Sequence, residues 1–301
     1  MMAQQIAASD QTALNRRRTW NNESLLWRTL RDVVRNPMGV IGLVIVLVLI
    51  GAGLGAPLLA THDPIEQIRG HRLESPSTQF WFGTDEFSRD LFSRVLYGLR
   101  ASLLVSVVAV GVGGAAGVVF GFVAGYAGGL ADTIIMRLID TLLAFPGLLL
   151  AIAIIAALGS GIENVALALG IAAMPRFARL GRAGMLGESN RDYVTAARVL
   201  GAGQGRIMFR HIAVNALPPL LVQAALSMAA AVLIESSLGY LGLGTEPPQP
   251  SLGGLINGAR ARLDHPYYFL FPGAALALFL VGLNLLADAV NESLDPHRVR
   301  R

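Results

Sequence analysis

Tyr193-Val194-Thr195-Ala196-Ala197-Arg198-Val199-Leu200-Gly201 lies at the centre of a polar, arginine-rich segment, 176–215, between two long apolar stretches. The chemistry such residues could do is non-covalent recognition. Val194, Ala197 and Gly201, with Tyr193 and Leu200 beside them, recur at helical spacing, flanked by Arg191, Asp192 and Arg198. Ala196-Ala197 would let another backbone come close, and Gly201 can end a helix in a left-handed conformation. A second short helix is expected over 204–211, leading through Asn215 to Pro218-Pro219, which suit a helix start. An ordinary basic loop would explain the charge but not this length and helical organisation. The segment reads as one built to be gripped by another molecule.

Reactive chemistry is narrowly bounded. The chain has no cysteine, which removes disulfides, thiolate metal sites and cysteine nucleophiles. Its 24 basic residues are all arginine. Without lysine there is no Walker A phosphate loop, no Schiff base and no Ser-Lys dyad. No HExxH, serine elbow or calcium-type acidic cluster occurs, and His62, His71, His211, His265 and His297 are scattered over loops. No metal site and no nucleic-acid partner are expected.

The elements that carry these residues are membrane spans. Of 301 residues, 53% are hydrophobic and 15% charged, against about 25% charged in soluble domains. The mean hydropathy is +0.55. The apolar blocks are long enough to cross hydrocarbon as helices, which satisfy their own backbone hydrogen bonds. About six spans are expected, near 40–60, 101–126, 133–158, 164–180, 217–243 and 267–290. The first starts after a polar stretch and is too long for a signal-peptide core, so it reads as an uncleaved span.

Arginine bias sets the orientation. Arg16, Arg17, Arg18, Arg28, Arg31 and Arg35 precede the first span. Seven more arginines lie between 176 and 210, and Arg298, Arg300 and Arg301 close the chain. An even number of spans puts all three groups on the cytoplasmic side, with both termini inside. The outward loops are then 61–100 and 245–266. Gly113, Gly117, Gly121 and Gly125 in the second span repeat every four residues, a spacing that allows close helix approach. Internal packing is the plainer reading, and a helix that moves during transport the sharper one.

Charges inside spans are costly, about 2.5–3.5 kcal/mol each at mid-helix. Arg137 and Asp140, three apart in the third span beside Asp132, can pair across one turn. Glu235 in the fifth span falls near the outer interface, where it either lines a route or gate or bonds a neighbouring helix. Asn284 and Asp288, four apart in the last span, suit a structural network. In the first outward loop, Thr84 or Asp85 can cap a helix. Phe87, Leu91, Phe92, Val95, Leu96 and Leu99 would then give it an apolar face for lying on the membrane.

Taken together, these stretches resemble one family. Ala196, Ala197 and Gly201 fit the coupling loop of ABC importer permeases, written EAA-x3-G-x9-I-x-L-P. Here Thr195 stands for Glu, His211 for Ile, and Ala213-Val214 for Leu-Pro. Phe209-Arg210-His211-Ile212 with Asn215 resembles the peptide and nickel subfamily. So do Gly83-Thr84-Asp85, Arg89-Asp90-Leu91 and Ser93-Arg94 in the outer loop, where Ser88 replaces the usual Gly. Arg35-Asn36-Pro37-Met38-Gly39, Gly125-Tyr126-Ala127-Gly128-Gly129, Pro146, Leu241-Gly242-Leu243-Gly244 and Leu294-Asp295-Pro296 agree.

The resemblance implies an all-α polytopic protein of the type I ABC importer permease fold. It would have a cytoplasmic tail over 1–38, a transmembrane domain over 39–301 and a coupling loop at about 185–216. ATPase coupling would fall on Tyr193, Thr195, Ala196, Ala197, Gly201, Arg210 and His211. Glu235 and Asn284 would be pathway or gate candidates, and Gly83, Thr84, Asp85, Arg89 and Asp90 the outer signature. The chain itself would carry no cofactor; ATP and magnesium would sit on two ATPase subunits. Further partners would be a second, related permease, a solute-binding protein and membrane lipid, in the bacterial inner membrane. The solute would be a di- or oligopeptide, or alternatively nickel or another small solute. A self-sufficient carrier or channel is the runner-up, disfavoured because charges cluster toward span ends rather than at broken helices in mid-membrane. A membrane-embedded hydrolase lacks its motifs.

Overall fold

The computed structural model describes residues 25–293. The expected arginine cluster Arg16, Arg17 and Arg18, together with His297, Arg298, Arg300, Arg301 and the Leu294-Asp295-Pro296 motif, lies outside the described residues.

The described chain is a helical bundle with loops gathered at its two ends. Helix α1 (Leu25–Arg35) turns at Asn36 into α2 (Pro37–Leu54), where the Asn36 side chain accepts from the Met38 amide and Pro37 takes the first turn. There the missing proline N–H costs nothing, because first-turn amides have no helical acceptor. A short α3 (Ala56–Leu59) follows. The loop 60–90 then leads into α4 (Leu91–Ala127), a 37-residue helix. Helices α5 (Gly129–Leu143) and α6 (Gly147–Leu158) form a pair bent by 90°. α7 (Ile162–Ser189) returns to the first end. α8 (Asp192–Val199) and α9 (Gln204–Arg206) pass through a π-helical turn, Ile207–Ile212, into α10 (Ala213–Tyr240). α11 (Leu252–Ala259) and α12 (Pro266–Ser293) complete the bundle.

Among the described residues, four helices are long and apolar enough to cross a membrane, and the bent α5–α6 pair makes a fifth candidate. The expected straight span 133–158 is therefore two helices. The break falls at Ala144, Phe145 and Pro146; proline disfavours helical geometry in the residue before it, and Pro146 itself is extended (ψ 129). α7 is 28 residues long, about 42 Å at helical rise, but its second half carries Arg176, Arg179 and Arg182.

α4 and α7 form the central pair. A Cβ added at Gly113, Gly117 or Gly121 would run into the backbone of Gly170, Met174 or Ala178, and one at Gly125 would come within 2.8 Å of the Met185 Cβ. The four-residue ladder thus does the packing work expected of it, letting two backbones meet where lipid supplies no hydrophobic drive. Around this pair sit three apolar clusters. One, near the loops 60–90 and 241–251, contains Leu91, Leu99, Val232, Leu252 and Phe279. A second holds Val105, Ile155, Leu169 and Leu238. The third, under α8, holds Phe177, Met185, Val194, Ile207 and Ile212.

Two expected elements are absorbed into longer ones. The helix proposed to lie on the membrane is the first turns of α4. Its cap is Asp90, whose side chain accepts from the Ser93 amide at 2.8 Å, not Thr84 or Asp85. Leu91, Val95, Leu96 and Leu99 are buried against the bundle. Likewise, the second short helix of the arginine-rich segment has no end of its own: Gln204–Tyr240 is one continuous 37-residue helix. Pro218 and Pro219 lie inside it, as proline can in membrane helices whose neighbours satisfy the freed carbonyls.

Candidate functional site

The arginine-rich segment folds as a compact knuckle. α8 begins with Asp192, whose charge suits a helix N-terminus, and ends with Arg198, which suits the C-terminus. Gly201 has φ +80. Its amide donates to the Arg198 carbonyl and the Ala202 amide to the Ala197 carbonyl, each at 3.0 Å. These two bonds form a Schellman cap. Val194 is fully buried, and Ala197 packs beside it on the same cluster as Ile207 and Ile212. Thr195, Ala196, Arg198 and Arg210 face outward, with the apolar side chains of Val199 (82% exposed), Leu200 (86%) and Phe209 (67%). The stripe expected from helical spacing therefore divides: Val194 and Ala197 hold the knuckle together, while Ala196 and Leu200 are presented.

Tyr193 ties the knuckle to the spans. Its hydroxyl donates to Glu188 Oε2 at the end of α7 (2.7 Å) and accepts from Asn215 Nδ2 at the base of α10 (3.1 Å). The His211 carbonyl lies 3.3 Å from the same hydroxyl and also accepts from Asn215 Nδ2 at 2.9 Å. Burial of this hydroxyl end pushes it above the ordinary tyrosine value; Glu188 adds to the shift and Asn215 opposes it. On the other side, the Tyr126 hydroxyl at the end of α4 donates to the Gln204 carbonyl. The intervening π turn, a rare geometry frequent at functional sites, joins the knuckle to α10. Sequence reasoning reached Tyr193 but not its partner Glu188 on α7, nor the bond from Tyr126 of α4 to the Gln204 carbonyl.

At the opposite end the outer signature residues meet in one buried knot. Asp85 accepts from the Phe87 and Arg89 amides (2.8 and 2.9 Å) and from Arg89 Nε at 2.8 Å, with Arg94 Nε at 3.3 Å. Arg94 Nη1 also donates to the carbonyls of Pro64 (2.7 Å) and Pro248 (3.3 Å), joining the loop 60–90 to the loop before α11. Asp90 accepts from Ser93 and from Thr61 Oγ1. The Thr84 hydroxyl donates to the His71 carbonyl and accepts from the Glu74 amide at 2.8 Å. Gly83 has φ +78 and abuts the Tyr267 ring. Ser88 has φ +62, which explains why glycine is the usual residue there.

The remaining candidates are placed apart. Glu235 is 2% exposed and accepts from Ser102 Oγ of α4 at 2.7 Å and from Ser236 Oγ at 3.2 Å, so it bonds a neighbouring helix. Asn284 donates to the Leu280 carbonyl of its own helix (2.8 Å), not to Asp288. The expected Arg137–Asp140 pair is also replaced. Asp140 binds Arg179 at 2.7 Å, and Asp132 binds Arg182 through two bonds of 2.5 and 2.6 Å. The long guanidinium arms of α7 reach across to α5 and outcompete a partner on the same helix.

Comparison with known proteins fixes the class. The family described as "Binding-protein-dependent transport system inner membrane component" matches residues 117–300. The N-terminal TM domain of oligopeptide transport permease C matches residues 24–76. The chain belongs to the binding-protein-dependent transport permeases. Relatives of this permease include the dipeptide transport system permease protein DppC of Alkalihalophilus pseudofirmus, 39% identical over 90% of each chain. The di/tripeptide permease DppC of Pseudomonas aeruginosa is 41% identical, covering 85% of this chain and 86% of its own. The probable D,D-dipeptide permease DdpC of Escherichia coli is 41% identical over 92% of each. In fold, the permease is similar to a chain of the inward-facing MetNI methionine ABC transporter. That likeness has a TM-score of 0.56 at 18% identity and covers 67% of this chain and 97% of that one.

Proposed function

We propose that this permease forms half of the translocation route of an ATP-driven importer of short peptides. A solute-binding protein delivers the peptide to the outer knot around Asp85. Two ATPase subunits on separate chains hold ATP and magnesium, and one of them seats the knuckle 193–212. A second, related permease supplies the other half of the route. Both termini face the cytoplasm and α7, fourth in chain order, brings the crossings to six; the knuckle is then inside and the knot outside, as the arginine bias favours.

The observation that carries this reading is the knuckle itself. A capped helix presenting Ala196, Val199, Leu200 and Phe209 is fixed by Tyr193 to α7 and α10 and by Gln204 to α4. Peptide is the solute because the relatives above are dipeptide and di/tripeptide permeases.

Gly201→Val tests the coupling role. A β-branched residue at φ +80 is strained by about 1–3 kcal/mol and would unseat the end of α8. The expected result, in proteoliposomes holding the full transporter, is a bundle that folds and assembles but no longer links ATP hydrolysis to peptide uptake. Unchanged uptake per ATP would refute the role. Because the chain has no cysteine, a single Ala196→Cys variant would also report whether an ATPase subunit can be cross-linked there.

A further inference from the structure

α5 has two faces of opposite character. Leu130, Ile134 and Leu138 form one, all more than half exposed. Asp132, Thr133, Met136, Arg137 and Asp140 form the other and, with Arg179 and Arg182 of α7, line an open cleft of about 530 Å³. α7 is divided in the same way. Its Gly170, Met174 and Ala178 backbones abut α4, while Arg176 and Arg179 project from the opposite side, exposed. Arg179 lies sixteen residues beyond Glu163 in the first turn of α7, about 24 Å along the helix, which, counted from that turn, sets it near the inner edge of a hydrocarbon layer of roughly 30 Å. Exposed guanidinium and carboxylate groups at that depth do not face lipid. They face water or protein.

Charge within the cleft is unbalanced. Asp132 and Asp140 are taken by Arg182 and Arg179. The guanidinium of Arg137, on the cleft wall with those pairs, has no ion-pair or hydrogen-bond partner among the described residues. We propose that the α5–α7 face is this subunit's wall of the translocation route, and that Arg137 holds the C-terminal carboxylate of the passing peptide. The guanidinium fork matches a carboxylate in charge and geometry. The flanking pairs keep Arg179 and Arg182 engaged, so among the described residues that line the cleft one cation, Arg137, is left to meet one carboxylate. Glu235 and Asn284, by contrast, are bound to a neighbouring helix and to their own backbone. The carboxylate assignment rests on the peptide reading above; the wall assignment does not.

The test uses the complete transporter with its second permease, ATPases and binding protein. In inside-out vesicles, the thiol of Arg137→Cys is expected to react with a charged, membrane-impermeant reagent. That of Val48→Cys, on the exposed face of α2, is expected to stay unlabelled. No labelling at Arg137→Cys would overturn the wall assignment, whether lipid or the partner permease covers the site. Uptake is then compared for a dipeptide with a free carboxylate and its C-terminal amide. Arg137→Gln is expected to lower the ratio of free-acid to amide uptake about tenfold, as loss of a charged hydrogen bond implies, and Arg137→Lys to keep most of it. An unchanged ratio in Arg137→Gln would overturn the carboxylate assignment. Uptake of neither peptide by the unmodified transporter would instead refute the peptide reading, with labelling still deciding the wall.

Discussion

Tyr193 joins three pieces of chain through one hydroxyl, so its removal isolates the joint. Tyr193→Phe keeps the ring against the cluster and deletes the bonds to Glu188 and Asn215. At about 0.5–1.5 kcal/mol per bond, peptide uptake per ATP hydrolysed should fall severalfold while the knuckle stays folded; reconstituted uptake and ATPase assays measure both. The neutral hydroxyl is the donor to Glu188, and burial holds it above the usual tyrosine value. This contribution is therefore complete at neutral pH and is lost only as pH rises through a value above about 10. Asp85 makes the complementary case at the outer end. It is fully buried between Arg89 and Arg94, and breaking such a pair costs about 3–5 kcal/mol. Asp85→Asn should lower the melting temperature of the purified permease and open the loop 60–90 to proteolysis. Neither network was legible in full from the sequence. Tyr193 and Asp85 stand in recognisable motifs, but Glu188, Pro64 and Pro248 acquire their roles only through the chain's return in space.

At the scale of elements, the α4–α7 contact is decided by four glycines. Gly117→Val would drive a branched side chain into the Met174 carbonyl and the Phe177 Cβ. Overpacking of this kind costs about 1–3 kcal/mol, so the variant should melt lower, whereas Gly111→Ala, with open space around it, should not. Thermal unfolding in detergent distinguishes them. The ladder was readable because a four-residue repeat is a local property. The 90° bend between α5 and α6 left a local signal as well, in Phe145-Pro146-Gly147, but length and apolarity favoured one unbroken span. The charged pairs left no usable signal. Asp140 and Arg179 are 39 positions apart, and spacing along one helix pointed to Arg137 instead.

For the whole molecule, the helical membrane class was legible because apolar block length is imposed by the bilayer on any helical chain that crosses it, whereas the family was legible only through motifs such as Ala196-Ala197 with Gly201 and Gly83-Thr84-Asp85. The permease alone is expected to move no peptide in liposomes. Adding its ATPases, second permease and loaded binding protein should confer ATP-dependent uptake, and uptake by the lone chain would favour a self-sufficient carrier. One helix, Gln204–Tyr240, runs from the knuckle to the outer loops, about 55 Å at helical rise. A helix of that reach, if it pivots inside the bilayer, would swing its far tip the opposite way to a shove at its foot. Inner and outer doors would then be two ends of a single seesaw, and leakage through both at once would require the beam to break.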